Sequence, residues 1–184
     1  MSNKVQIKNV RLSYANVFTA RAMQEGQEVK YSTQIIMDKN HPQIDEVKKA
    51  IFAVAKEKFP KLVTGSKFPA RLKSPLRDGD EEFDGDENYA DKIFFNASNK
   101  RRPLVIDRDK SPITDDDNII YSGCYANAIV EFYGFDTAGN KGVAVSLGGV
   151  QFVRDGEALG GKGVTAEEFD EVDEEDGDDY GDII

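Results

Sequence analysis

One cysteine, one histidine and no tryptophan in 184 residues remove several chemistries at the outset. A lone Cys124 cannot form an internal disulfide, which suits a reducing compartment. With His41 the only histidine, a His/Cys zinc site within one chain is excluded, and no metal or other cofactor is expected. His41 stands beside Pro42 at a helix start, where turn or capping duty suits it better than catalysis. Cys124 reads as a buried apolar filler rather than a nucleophile. The phosphate-cradling pattern GxxxxGK followed by Ser or Thr is missing as well. An enzyme is therefore not expected. Long apolar runs are also lacking: none reaches membrane-spanning length, and MSNKVQIKNV has no apolar leader region. The chain reads as soluble and intracellular, with no membrane partner.

What is present is charge, unevenly placed. The formal net charge of −10 would argue against a polyanionic ligand. Residues 155–184, however, hold 13 acids and one base, which leaves 1–154 at a net of +2. Within that body residues 78–91 (DGDEEFDGDENYAD) carry eight acids and no base, and the rest of the body stands at +10. A basic body joined to acidic segments points to a polyanion ligand and an acidic arm.

The periodicities predict a mainly β chain with one main helix. Residues 4–14 and 29–39 alternate as strands with a turn (AMQEGQE) between them. Over 43–59, Ile44, Val47, Ile51, Val54 and Ala55 recur at helical spacing, with acids in the first turn, lysines in the last and Pro60 as the stop. Residues 60–92 read as a long connection. Short strands are expected at 93–98 and 103–107, and two long β runs at 119–135 and 142–153 around the turn DTAGN. Glycines 123, 134, 148 and 149 fall where strands would bulge or turn corners. Five or six strands and one helix fit a small Greek-key barrel of the OB-fold type, the commonest nucleic-acid version. The expected domains are a barrel over 1–158 and a disordered acidic tail with an apolar tip over 159–184.

Four constellations bear on function. Cations interleaved with aromatics suit a single strand of nucleic acid, because cations track phosphates and rings stack on bases. The candidate contacts are Tyr31, Lys73, Arg77, Phe94, Lys100, Arg101, Arg102, Tyr121 and Tyr125, drawn from a wider set that includes Tyr133. Alternation over 119–135 puts Ser122, Cys124, Ala126, Ala128, Val130 and Phe132 inside the barrel. It puts Tyr121 and Tyr125 outside as two stacking platforms, against the simpler reading that such tyrosines cap or pack. The turn Asn99-Lys100-Arg101-Arg102-Pro103 places three cations where a phosphate could meet them. The acid cluster 78–91 fails as an EF-hand, since Tyr89 stands where its glycine must be, and reads as a mobile acidic loop. Lastly, residues 167–184 hold eleven acids and no base and cannot fold alone. Their tip (Asp178, Asp179, Tyr180, Asp182, Ile183, Ile184) suits insertion into a hydrophobic pocket flanked by cations.

The segments KNVRLSYANVF, SPLRDGDE, FNASNKRRPLVID, IYSGCYANAIVEFY and KGVAVSLGGVQFVRDGE resemble the OB-fold single-stranded DNA-binding proteins of tailed bacteriophages. They cover most of residues 4–158. The resemblance implies sequence-independent binding of single-stranded DNA in phage replication, recombination and repair, in the cytoplasm of a bacterial host. It also implies an acidic tail that contacts replication proteins (polymerase, helicase or primase) and competes with DNA. Two alternatives stay open: a metal-dependent nuclease using residues 78–91, and an acidic decoy that binds proteins only. Monomer and dimer are equally compatible with the sequence.

Overall fold

The computed structural model describes residues 3–22, 24–159 and 169–172. Five strands close a barrel: β1 (Lys4–Arg21), β2 (Lys30–Asp38), β4 (Lys92–Asn99), β6 (Tyr125–Thr137) and β7 (Asn140–Arg154). Around the barrel they run β1-β2-β4-β7-β6 and back to β1. The closing pair, β4 with β7, is parallel at Ser98 and Ser146; the other barrel pairs are antiparallel. Two short strands widen the sheet, β3 (Arg77–Asp78) beside β4 and β5 (Leu104–Ile106) parallel to β7. This is the expected OB-type barrel. The run over 119–135 is shorter at its start than predicted, because Tyr121–Cys124 form a turn before β6 begins at Tyr125.

The alternation in β6 does what its small residues require. Cys124, Ala126, Ala128, Val130 and Phe132 are buried in the main core together with Ile7, Leu12, Ile35, Phe95 and Leu147. Helix α1 (Ile44–Lys58) closes one end of the barrel with Val47, Ile51, Val54 and Ala55. Its start is stitched to β1, where the ladder to β6 slips between Ile7 and Val10. There the Gln43 side chain accepts from Lys8 N–H (2.7 Å) and donates to the Gln6 carbonyl (2.7 Å). His41 does act as a turn residue: its Nδ1 accepts from Gln43 N–H at 3.0 Å and its Nε2 meets the Lys8 carbonyl. The hairpin between β6 and β7 turns through Ala138 and Gly139, both left-handed, which is the two-residue turn that matches strand twist.

Residues 78–91 carry a short helix and a buried ring that the sequence expectation of a mobile loop did not include. A short helix α2 (Gly79–Glu82) and the chain after it place Tyr89 and Phe83 over the outer side of β2 and β4. Tyr89, Ile36 and Phe94 form a second buried cluster there, with Leu159 against it. Lys39 holds both Asp78 (2.9 Å) and Asp80 (2.7 Å), and the hydrogen bonds it donates keep both carboxyls below their usual range.

Candidate nucleic-acid interface

The outer side of β2 and β4 changes character along its length. Their cross-strand partners are Ser32 with Ser98, Gln34 with Asn96, and Ile36 with Phe94. The apolar rung is covered by Tyr89; the Tyr89 hydroxyl ends the cover by donating to Gln34 Oε1 at 2.6 Å. Beyond that bond the rungs are small and polar, and they lie open. Above them is a cleft of about 670 Å³ lined by Tyr14, Asn16, Arg21, Lys30, Ser32 and Ser98 among others. Through Lys30 and Ser98 it meets a second cleft of about 350 Å³ lined by Lys100, Glu131, Tyr133 and Ser146.

Each end of this path carries an exposed ring. Tyr14 is 66% exposed because β1 breaks its pairing with β2 between Ser13 and Asn16, and Tyr14 itself turns through φ +47°. A bulge of this kind re-aims a side chain that regular alternation would have placed elsewhere. Tyr133, 44% exposed, stands outward on β6. Between the rings the cations are Arg21, Lys30 and Lys100. Lys100 makes an exposed ion pair with Glu28 at 3.0 Å, a contact of the kind that contributes at most about 1 kcal/mol and yields readily to a phosphate. Arg101 and Arg102 follow on the same loop, solvent-exposed, with no ion pair among the described residues. Asn99 braces that loop: its amide donates to the Leu147 carbonyl at 3.0 Å, and its Oδ1 accepts from Arg101 N–H at 3.0 Å.

The residues singled out from sequence divide. Lys100 lines the path and Arg101 and Arg102 adjoin it. Tyr31 is half-buried and shares its side of β2 with buried Thr33 and Ile35, away from the open rungs. Phe94 is 3% exposed beneath Tyr89 and offers no free face, a correction forced by the cover. Arg77 donates to Glu82 at 2.8 Å, and Lys73 pairs through its backbone with the β6–β7 hairpin; neither lines the path. Tyr121 and Tyr125 are not two platforms in series. Tyr125 has the Arg154 guanidinium 3.6 Å above its ring, with Arg11 at 5.8 Å. The Tyr121 hydroxyl accepts from Gly156 N–H (3.0 Å) and meets the Gly156 carbonyl (2.9 Å) and the Asp155 carboxylate (3.0 Å). Burial there pushes its phenol upward from the ordinary value.

These contacts fix the segment 155–159 instead. Arg11 donates to the Glu157 carbonyl, and Leu159 N–H donates to the Ser122 carbonyl at 2.9 Å. Gly123, at φ +115°, must be glycine, because a Cβ would overlap the Glu157 backbone. Leu159 thereby comes to rest in a recess shared with Tyr14 and Tyr89. Leu159 thus stands at the Tyr14 end of the path. The tip residues Asp178, Asp179, Tyr180, Asp182, Ile183 and Ile184 lie outside the described residues.

Sequence reasoning missed Tyr14, Asn16, Arg21, Lys30, Asn96 and Ser98. The available signal was the loss of alternation at Ser13-Tyr14-Ala15, where the bulge sits.

A closed barrel of this strand order, with an open polar path across its second and third strands, defines an OB-fold of the nucleic-acid-binding class. The chain belongs to the family described as Enterobacter phage Enc34 ssDNA-binding protein, whose model matches residues 3–180. It is 43% identical over 176 residues to putative protein p50 of Acyrthosiphon pisum secondary endosymbiont phage 1, covering 92% of this chain and 94% of that protein. Among solved structures it is similar to the single-stranded DNA-binding protein of bacteriophage Enc34 in complex with ssDNA. That likeness has a TM-score of 0.73 and 21% identity, covering 86% of this chain and 90% of the other. The fold is also that of gp2.5, a single-stranded DNA-binding protein encoded by bacteriophage T7 (TM-score 0.55, 16% identity, 93% and 97% covered).

Proposed function

We propose that this chain binds single-stranded DNA, with little sequence preference, along the path from Tyr14 to Tyr133. It does so in phage replication, recombination and repair, in the cytoplasm of the infected host. One observation carries the reading: two exposed tyrosines end a cleft floored by serine and asparagine and flanked by Arg21, Lys30 and Lys100. Small floor residues let a strand lie close, rings at both ends stack on bases of any identity, and the cations hold phosphates.

The barrel, residues 1–158, and the acidic tail, 159–184, act as separate parts of this function. Because the chain leaves the barrel beside Tyr14, eleven acids in 167–184 are tethered at the entrance of the path. The tail competes with DNA for the cations and, when displaced, presents itself to replication proteins such as a polymerase or a helicase-primase. The protein is not an enzyme in this reading; Asp78 and Asp80, which a metal-dependent nuclease would need free, are engaged by Lys39. The test is removal of 173–184 followed by titration with labelled oligo-dT. The truncated chain is expected to bind more tightly in dilute buffer, and the difference to vanish at high salt as charges are screened. Equal affinities in dilute buffer would refute the competition, and no binding by either chain would refute the DNA reading itself.

A further inference from the structure

Beside its buried stripe, helix α1 carries apolar surface that packing against the core covers only in part. Its buried stripe is Val47, Ile51, Val54 and Ala55. Phe52 lies off that stripe, half-buried, and faces Phe68 and Leu76 of the connection that follows the helix. Between helix and connection is a groove of about 710 Å³, far from closed, with these three side chains among its lining. Lys48, Lys49 and Lys56 rim it, at positions that recur on one face of the helix with Phe52. All three lysines are exposed and none makes an ion pair among the described residues, while Asp45 is the one acid on the rim. An apolar trough with a surplus of two positive charges matches an acidic peptide that carries large apolar side chains.

The chain contains such a peptide. Residues 178–184 read DDYGDII, three aspartates around one tyrosine and two isoleucines. We propose that this segment docks in the α1 groove, with Tyr180, Ile183 and Ile184 against Phe52, Phe68 and Leu76 and the aspartates facing the lysines. Reach is no obstacle. The eighteen residues 160–177 span up to about 60 Å extended, against a radius of gyration of about 15 Å for a barrel domain of this size. Docked there, the tip is withheld from partners until DNA displaces the acidic stretch that precedes it.

The experiment places a nitroxide on the full chain at Asp182→Cys and follows backbone amide intensities in dilute buffer. Cys124 is fully buried and stays unlabelled. The expected result is loss of most of the intensity at Lys48, Phe52, Lys56 and Phe68, restored when the nitroxide is reduced. Ile183→Asp with Ile184→Asp is expected to abolish the loss, and so is Lys48→Glu with Lys49→Glu. Broadening confined to Ser32, Asn96 and Ser98, broadening spread evenly over the barrel, or broadening that survives the tip variant would each overturn the proposal. No DNA enters the measurement, so its failure would leave the DNA-binding reading standing.

Discussion

Replacing Tyr14 by alanine separates the interface described here from the one that strand alternation alone suggests. The ring is 66% exposed, so its removal uncovers little apolar surface and is expected to change stability by no more than about 0.5 kcal/mol. If the ring stacks on a base, the loss is about 1–3 kcal/mol of binding, or a dissociation constant weaker by about 5- to 140-fold. Anisotropy of a labelled oligo-dT gives the constant, and a thermal melt shows that the barrel is intact. Tyr125→Ala is the paired control. Its ring lies under Arg154 and near Arg11, so the substitution is expected to lower the melting temperature and to cost less affinity than Tyr14→Ala. An unchanged affinity in Tyr14→Ala together with a large loss in Tyr125→Ala would refute this placement of the interface.

Two further outcomes follow from the packing around residues 121–159. Gly123→Ala puts a Cβ into the Glu157 backbone at a left-handed φ, and is expected to destabilise the protein by about 2–5 kcal/mol; an unaltered melting temperature would contradict the close approach. Burial raises the Cys124 thiol above its ordinary value, so the unfolded chain ionises first as pH rises. Stability is expected to be complete below about pH 8.5 and to fall above it by up to about 1.4 kcal/mol per pH unit from this group. Cys124→Ala removes that alkaline component, and denaturant midpoints across pH read it.

The barrel was legible because its periods are strong. The helix over 43–59 and the inward set from Cys124 to Phe132 emerge from spacing alone, and the structure places both as expected. The site was less legible for a physical reason. Alternation assigns a side only while the ladder is regular, and two of the tyrosines at issue lie where it is not. The bulge at Ser13–Asn16 turns Tyr14 outward, and the turn at Tyr121–Cys124 removes Tyr121 from the strand. Nor does strand alternation reveal that Tyr89 and Phe83, from the connection just before β4, fold over Phe94 and carry the Tyr89 hydroxyl to Gln34 on β2. The same holds for residues 78–91, whose charge gave no sign that Lys39 would hold Asp78 and Asp80 or that Tyr89 would be buried. Charge was more legible than side: the loop with Lys100, Arg101 and Arg102 lies beside the open path, where alternation could not have placed it.

The central claim is that cations beside this path hold the phosphates of a single strand, and the salt dependence of binding tests it most directly. Oligo-dT affinity should fall with a log-log slope of about −0.7 for each phosphate neutralised. In the variant Lys100→Ala, Arg101→Ala, Arg102→Ala that slope should become shallower by up to about 2. A slope equal to that of the unaltered chain would show that these cations meet no phosphate, and a flat salt dependence in both would contradict the account.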